Sequence, residues 1–212
     1  MIHMKNILRL SLVILLSAST FNLSAQIVFP QDGGDGSVKF LKDQKILLVK
    51  YDYSATEMGD GTSEAVFLQK KQEELNAKRA ARGDEYVERW NRTKKENWEF
   101  KFEELFNKYS SKLEMNQSHT EAKYTLVVKS LVTFPGMTTG MGMGGVPSYV
   151  TLEFSFVETA QPEKVLGRFL LKHVQGPANS NCGMFVDAPA LCMQEAYAKA
   201  AKVFADYVKK NR

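Results

Sequence analysis

The sequence predicts an α+β domain in which a mixed four-stranded sheet carries helices mainly on one face. Three observations support this fold: a short apolar strand near residue 50, a long proline-free charged stretch, and three strand-like segments followed by an amphipathic tail. A strand, a helix and a further strand usually form a right-handed parallel crossover, so the first two strands should be parallel. The predicted order is strand, helical insert, three-strand meander and C-terminal helix.

The first strand is predicted over residues 45–53, where the apolar run Ile46 to Val49 is followed by alternating tyrosines. Residues 62–115 are rich in good helix formers and contain no proline, so we expect two or three helices with a break near Gly83. The last of them shows a clear apolar stripe, made of Phe102, Leu105, Phe106, Tyr109 and Leu113. That stripe should face the core.

Alternating apolar residues predict strands over residues 124–134, 148–159 and 165–174, with a turn at residues 161–164 before the last strand. The first of these is apolar on both sides and should be central. Asp187 and Pro189 are typical of the start of a helix. Apolar residues at helical spacing continue to Val208, which predicts an amphipathic helix docked on the sheet.

The first 25 residues are typical of an export signal. Lys5 and Arg9 are followed by a short apolar stretch, and Leu23-Ser24-Ala25 offers a cleavage site before Gln26. The stretch is too short to cross a bilayer, and no cysteine follows it to carry a lipid. We therefore expect a signal peptide at 1–25, a flexible lead-in at 26–44 and one domain at 45–212, in a soluble periplasmic or secreted protein without a lipid anchor or a membrane span.

Charge and motif content exclude several classes of function. The formal net charge of +4 falls to +2 when Lys5 and Arg9 are removed with the signal, which gives no electrostatic reason to expect a nucleic-acid partner. The glycines of residues 136–145 satisfy a G-x-G-x-x-G pattern, but a strand follows instead of the helix that a dinucleotide site requires. No cofactor is expected.

Cys182 and Cys192 are the two cysteines of the chain, and their spacing would close a short loop. An exported protein meets oxidising conditions, in which such a pair can form a structural disulfide. Two unpaired buried thiols and a reactive cysteine are the alternatives. The sequence has no Cys-x-x-Cys motif to favour redox chemistry.

A methionine-rich loop offers the weak candidates for a metal site, Met137, Met141 and Met143. Thioethers are soft ligands that suit Cu(I), and His119 or His173 would add nitrogen ligands if the fold brought either close. The alternative is a hairpin loop in which glycine supplies freedom and methionine covers an apolar patch.

Trp90, Trp98 and Phe100 lie among basic residues and are candidates for a surface that binds a partner protein or a glycan. The alternative is a helix whose aromatic side chains face inward and whose lysines face solvent. No catalytic residue is identified, because neither His119 nor His173 lies in a known catalytic motif and the adjacent carboxylate pairs point in different directions on a helix.

Three segments carry a resemblance to known proteins: Tyr51-Asp52-Tyr53-Ser54, the Gly83-Asp84 pair before a helix with Trp90, and the run from Phe102 to Tyr109. Together they resemble an uncharacterised family of small exported bacterial proteins, over most of the chain after the signal. The order of elements is also similar to the topology of the amino-terminal domain of TolB. Neither resemblance implies specific functional residues.

The expected function is that of an exported binding or assembly module of the bacterial envelope, with an envelope protein or a glycan as its partner. Two alternatives remain open at this point: a small exported hydrolase with a scattered site, and a copper binder that uses the methionine loop. A pocket with convergent polar groups would favour the hydrolase. Methionines gathered around a histidine would favour copper.

Overall fold

The structure, a computed structural model, describes residues 26–28, 37–138, 145–176 and 189–212. Its strands are β1 (Gln26–Val28), β2 (Ile46–Asp52), β3 (Glu57–Met58), β4 (Glu114–Asn116), β5 (Tyr124–Phe134), β6 (Met137–Thr138), β7 (Gly145–Val146), β8 (Tyr149–Glu158) and β9 (Gln161–Gln175). Its helices are α1 (Glu64–Lys78), α2 (Arg82–Thr93), α3 (Phe100–Ser110) and α4 (Pro189–Asn211). A π-helical segment, Lys94–Glu99, joins α2 to α3, and Lys39–Leu41 form a 3-10 turn.

The α+β fold predicted from the sequence is confirmed. The main sheet has the order β1-β9-β8-β5-β2-β4, and β3 pairs with β5. β2 is parallel to β5, while β5, β8 and β9 form an antiparallel meander, as the element order predicts. The sheet exceeds the predicted four strands because β1, β3 and β4 add to it. These strands have two or three residues each, which is too short for an alternating pattern to show in the sequence.

Two predicted boundaries differ from the structure. Residues 161–164 belong to β9, and the turn lies at residues 159–160. Gln161 to Val165 are exposed, so this end of the strand has the polar composition of a turn. Part of the predicted lead-in is also structured, because Gln26–Val28 pair with β9 and both Val38 and Leu41 are completely buried.

The core lies between one face of the sheet and the helices. Phe204 of α4 packs against Phe154, Phe156 and Phe169 of β8 and β9, with ring centroids 4.1 to 5.9 Å apart. Alanines along α4 are buried too, which lets the helix approach the sheet closely: Ala196, Ala200, Ala201 and Ala205. Burial of each phenylalanine contributes about 1.5–3 kcal/mol, so this contact is a main source of the stability of the fold.

The helical insert packs its two tryptophans into the same core. Trp90 is 1% exposed and Trp98 is 0% exposed. The Trp98 Nε1 donates to the Ala190 carbonyl oxygen at 2.6 Å, and its ring stacks on Tyr197 with 5.1 Å between centroids. The interpretation of these two tryptophans as a partner surface is therefore wrong, because α4 covers Trp98 and supplies its hydrogen-bond acceptor. Phe100 is 59% exposed and remains a candidate.

Within the part of the chain that the structure describes, no helix is both long enough and apolar enough to span a membrane.

Candidate functional site

Two carboxylates, two tyrosines and an amide converge beside the end of β2. Tyr51 belongs to the carboxyl end of this strand and Tyr53 follows it directly, while Gln117 directly follows β4. Glu99 and Glu103 belong to the helical insert. We call these five residues the Glu99–Glu103 cluster. The carboxyl ends of parallel strands are a common place for ligand sites in α/β sheets, and β2 and β4 are parallel.

Local structure explains why these side chains meet. Tyr51 and Tyr53 are two residues apart on an extended chain, so both point to the helical face of the sheet. Tyr51 packs edge-on against Phe102 and Tyr53 against Trp98. Glu99 and Glu103 are four residues apart on a helix and therefore lie on one face. Glu99 ends the π-helical segment, and such segments are frequent at functional sites.

The two carboxylates are linked by one amide group. Gln117 Nε2 donates to Glu99 Oε2 at 3.1 Å and to Glu103 Oε1 at 2.9 Å. Two oxygens that share one donor at these distances lie within about 6 Å of each other. The Tyr51 hydroxyl donates weakly to the Glu99 carbonyl oxygen at 3.3 Å and to Glu103 Oε1 at 3.4 Å. All of these donors are neutral, and within the described part of the chain no cationic side chain forms an ion pair with either carboxylate.

Burial makes this arrangement costly for the charged carboxylates. It raises the pKa of both the Glu99 and the Glu103 carboxyl, although hydrogen bonds from Gln117 oppose the effect. Lys95 lowers the pKa of Glu99 and His119 lowers that of Glu103, but both effects are smaller than desolvation. Burial also raises the pKa of Tyr51 well above its ordinary value, with Glu103 and Glu99 adding to the shift. The tyrosine therefore stays a neutral donor.

The Tyr53 hydroxyl is buried and has no hydrogen-bond partner of normal geometry. It faces the Glu99 carboxylate, which contributes to the rise of its pKa after burial and Tyr197. A buried hydroxyl without a partner costs about 1–3 kcal/mol, so native proteins rarely leave one unpaired without a reason. Here the hydroxyl faces the Glu99 carboxylate of the cluster without a hydrogen bond of normal geometry to it.

A buried ion pair supports the cluster from behind. Glu64 and Lys94 are 7% and 8% exposed, and the Lys94 ammonium group forms a direct ion pair with the Glu64 carboxylate. Trp90 Nε1 donates to the other Glu64 oxygen at 2.9 Å. Lys94 Nζ also lies 4.7 Å from the centre of the Tyr53 ring, so the ammonium group covers one face of that ring. These contacts fix Tyr53 in place.

The two histidines lie in different places. His119 is near the cluster, with its ring nitrogens 3.7 Å from Glu114 and 3.6 Å from Glu121. His173 is on β9, where its ring stacks on Tyr149 with 4.0 Å between centroids. Among the described residues, no group of three or more His, Cys, Asp and Glu side chains is arranged to hold a metal ion.

The methionine loop and the cysteine pair fall partly outside the described residues. Met137 is 61% exposed on β6, whereas Met141 and Met143 lie outside the described residues. Cys192 is buried near the start of α4, and Cys182 lies outside them. The copper site and the disulfide therefore stay predictions.

Sequence reasoning missed the Glu99–Glu103 cluster, although two signals were present. Glu99 and Glu103 form an i,i+4 pair of like charges, which is unfavourable on an isolated helix and calls for an explanation. Tyr51 and Tyr53 place two hydroxyl groups on one face of a predicted strand whose other residues are mostly apolar and indicate a buried position. What the sequence does not reveal is that Gln117, on a separate turn, lies between the two carboxylates.

Comparisons with known proteins give little further information. No family model matches the chain, and no curated protein matches it either. One similar solved structure is protein XCC0632 from Xanthomonas campestris, of family DUF330, with a TM-score of 0.36 and 8% identity over 89% of this chain and 93% of that one. Another is the PelC dodecamer from Paraburkholderia phytofirmans, with a TM-score of 0.34 and 8% identity over 83% of this chain and 97% of that one.

Both of these are bacterial proteins, but likeness at this level carries no argument about function. The resemblance to the TolB amino-terminal domain and the export of the chain stay predictions.

Proposed function

We propose that this protein is an exported binding module of the bacterial envelope, and that its Glu99–Glu103 cluster receives a cationic side chain of a partner protein. The observation that carries the proposal is the pair of carboxylates bridged by one neutral amide, with the unpaired Tyr53 hydroxyl beside them. A lysine or arginine of a partner would supply the missing positive charge and the missing hydrogen-bond donors.

The exposure of Gln117 supports access to the site. Its side chain is the outermost member of the cluster, and Ser118 beside it is also exposed. An exposed amide can swing away at small cost and return when the partner leaves. In the free protein, the Gln117 amide thus occupies the position that a cationic side chain of the partner takes on binding.

Binding accounts for the cluster better than hydrolysis does. An acid/base pair needs a cleft that admits a substrate beside both groups. Two open depressions in the described structure, of about 660 and 410 Å³, lie elsewhere. One is lined by Lys45, Asn107 and Glu114, and the other runs between Leu105 and Lys202; neither includes a residue of the cluster.

Co-purification with matched variants tests the proposal. The tagged protein is crosslinked mildly in its own cells and recovered as wild type, as a Glu99→Gln and Glu103→Gln double variant, and as a Glu104→Gln control. Glu104 lies on the same helix but is exposed and paired with Lys101, so its replacement leaves the cluster intact. We expect one envelope protein to be recovered with the wild type and with the control, and to be lost with the double variant.

Two results would contradict the proposal. A partner recovered equally with all three forms would show that it binds elsewhere, and recovery of every form alone would argue against a binding module. Circular dichroism of the double variant checks that it is folded. The same preparation tests export: the recovered chain should begin at Gln26 and should be found in the periplasm or the medium.

A further inference from the structure

At its carboxyl end, beside the cluster, β2 has a neighbouring strand on one side only. β4 pairs with Ile46–Leu48 and ends at Asn116, whereas β5 pairs with β2 as far as Asp52. Among the described residues, Lys50–Asp52 therefore have no neighbouring strand on the side of β4. An open edge of this kind presents backbone donors and acceptors that a further strand can use.

The register of the sheet fixes where the side chains of an added strand would point. Tyr51 points toward the helices, where it contacts Phe102 and donates to the Glu99 carbonyl oxygen. Residues opposite each other in a sheet point to the same face. A residue of an added strand that lies opposite Tyr51 would therefore point at Glu99 and Glu103.

The chemistry of this position favours arginine. Two carboxylate groups accept hydrogen bonds there from the neutral side chains of Gln117 and Tyr51. A guanidinium group carries five donors in a planar fork, which matches two neighbouring carboxylates better than the single ammonium of lysine does. Its charge also offsets the repulsion between Glu99 and Glu103.

We propose that the open edge of β2 binds an extended segment of the partner by strand addition, with an arginine opposite Tyr51 seated between Glu99 and Glu103. This inference rests on the proposed function, from which it takes the cluster as the binding surface. It adds the conformation of the bound segment and the identity of its central side chain. Backbone hydrogen bonds give the segment its direction, and the arginine sets its register.

Synthetic peptides test the inference on the full chain. The parent probe is a seven-residue peptide of alternating threonine and valine with arginine at its centre. Two further peptides carry N-methyl groups on alternate residues, one on the set that includes the arginine and one on the other set. Only one set of amides faces β2, so one methylated peptide should bind about tenfold more weakly than the parent while the other binds as well as the parent does.

Charge controls complete the design. Replacing the central arginine with glutamine should abolish measurable binding, and so should the Glu99→Gln and Glu103→Gln double variant, whereas the Glu104→Gln control should bind as the wild type does. Fluorescence anisotropy of labelled peptides measures all of these affinities.

The outcomes separate this inference from the proposed function. If both methylated peptides bind as tightly as the parent, or both lose binding equally, strand addition is wrong while the cluster can still receive a cation. If no arginine peptide binds, the inference is overturned. The co-purification experiment then decides independently whether the cluster binds a partner at all.

Discussion

Glu64 and Lys94 form an ion pair inside the protein, where neither charge has much contact with water. Removal of one partner leaves the other buried and uncompensated, which costs about 3–5 kcal/mol. The pair also holds Trp90 and the Tyr53 ring, so it connects the stability of the insert to the geometry of the cluster.

We predict that Lys94→Met and Glu64→Gln each destabilise the protein by about 3 kcal/mol or more, and that the double variant is less destabilised than the sum of the two. The reason is that the second substitution removes the charge which the first one left unpaired. Chemical denaturation of the four proteins measures the coupling. Additive effects would show that the two side chains stabilise the protein independently.

The pKa shifts of the cluster predict a pH-dependent stability. Burial raises the pKa of Glu99 and Glu103 in the folded protein above the ordinary value of 4.5, so the folded state binds these protons more tightly than the unfolded state. Their favourable contribution is complete below the ordinary pKa and is lost as the pH rises through the raised values. The charged carboxylates thus weaken the fold at neutral pH.

Comparison with the glutamine double variant isolates this contribution from the other acidic groups. The free energy of unfolding of the variant minus that of the wild type should fall as the pH is lowered from 7 toward 4.5, by at most about 1.4 kcal/mol per pH unit for each proton. Denaturation series at several pH values provide the measurement, with Glu104→Gln as control. A difference that does not change with pH would mean that neither carboxyl is perturbed.

The connection between α1 and α2 leaves no space for a side chain at Gly83. A Cβ atom added to Gly83 would lie 2.1 Å from the Gln72 carbonyl oxygen and 2.6 Å from its Cα, so the two helices meet there without room for a side chain. Asn76 Oδ1 accepts a hydrogen bond from the Gly83 amide at 2.7 Å. Ala81, two residues earlier, has a φ of 65°, which is unfavourable for a residue with a Cβ.

Opposite effects are expected at these two positions. Gly83→Ala should destabilise the protein by about 1–3 kcal/mol because the helices must move apart. Ala81→Gly should stabilise it by about 1 kcal/mol because glycine adopts the left-handed conformation freely. Thermal unfolding of both variants gives the sign, and equal effects at the two sites would contradict the packing described here.

At the scale of the molecule, the insert and the sheet share one core. Trp98 lies in the insert, stacks on Tyr197 of α4 and donates to Ala190 at the start of that helix. α4 in turn packs on β8 and β9 through Phe204. Because these contacts are continuous, the long charged insert should not unfold separately from the sheet.

A single cooperative transition should therefore be seen by two different probes. Tryptophan fluorescence reports the insert, since both tryptophans lie there, and far-ultraviolet circular dichroism reports all the secondary structure. We expect the two denaturation curves to coincide, and Trp98→Phe to shift both together by about 1–3 kcal/mol through the lost hydrogen bond to Ala190. An earlier transition in fluorescence alone would indicate that the insert is an independent unit.

The sequence by itself determined the class of the fold and the order of its elements. Strand periodicity in β5 and β8 and the apolar stripe of α3 are local properties, because a side chain that must be buried recurs at the period of its own element. The parallel pairing of β2 and β5 followed from the strand–helix–strand order, which usually forms a right-handed parallel crossover. Tyr51 was correctly placed at the end of the first strand, whereas Tyr53 follows the strand instead of belonging to it.

Only the tertiary structure decided which polar residues meet. The residues around Trp90 and Trp98 in the sequence do not distinguish an exposed tryptophan from a buried one. The docking of α4 made Trp98 part of the core. Gln117 reaches Glu99 and Glu103 because β4, a strand of three residues, pairs with the start of β2 and ends beside the insert. A site built from residues far apart in the chain depends on how the elements pack, and no local period records that arrangement.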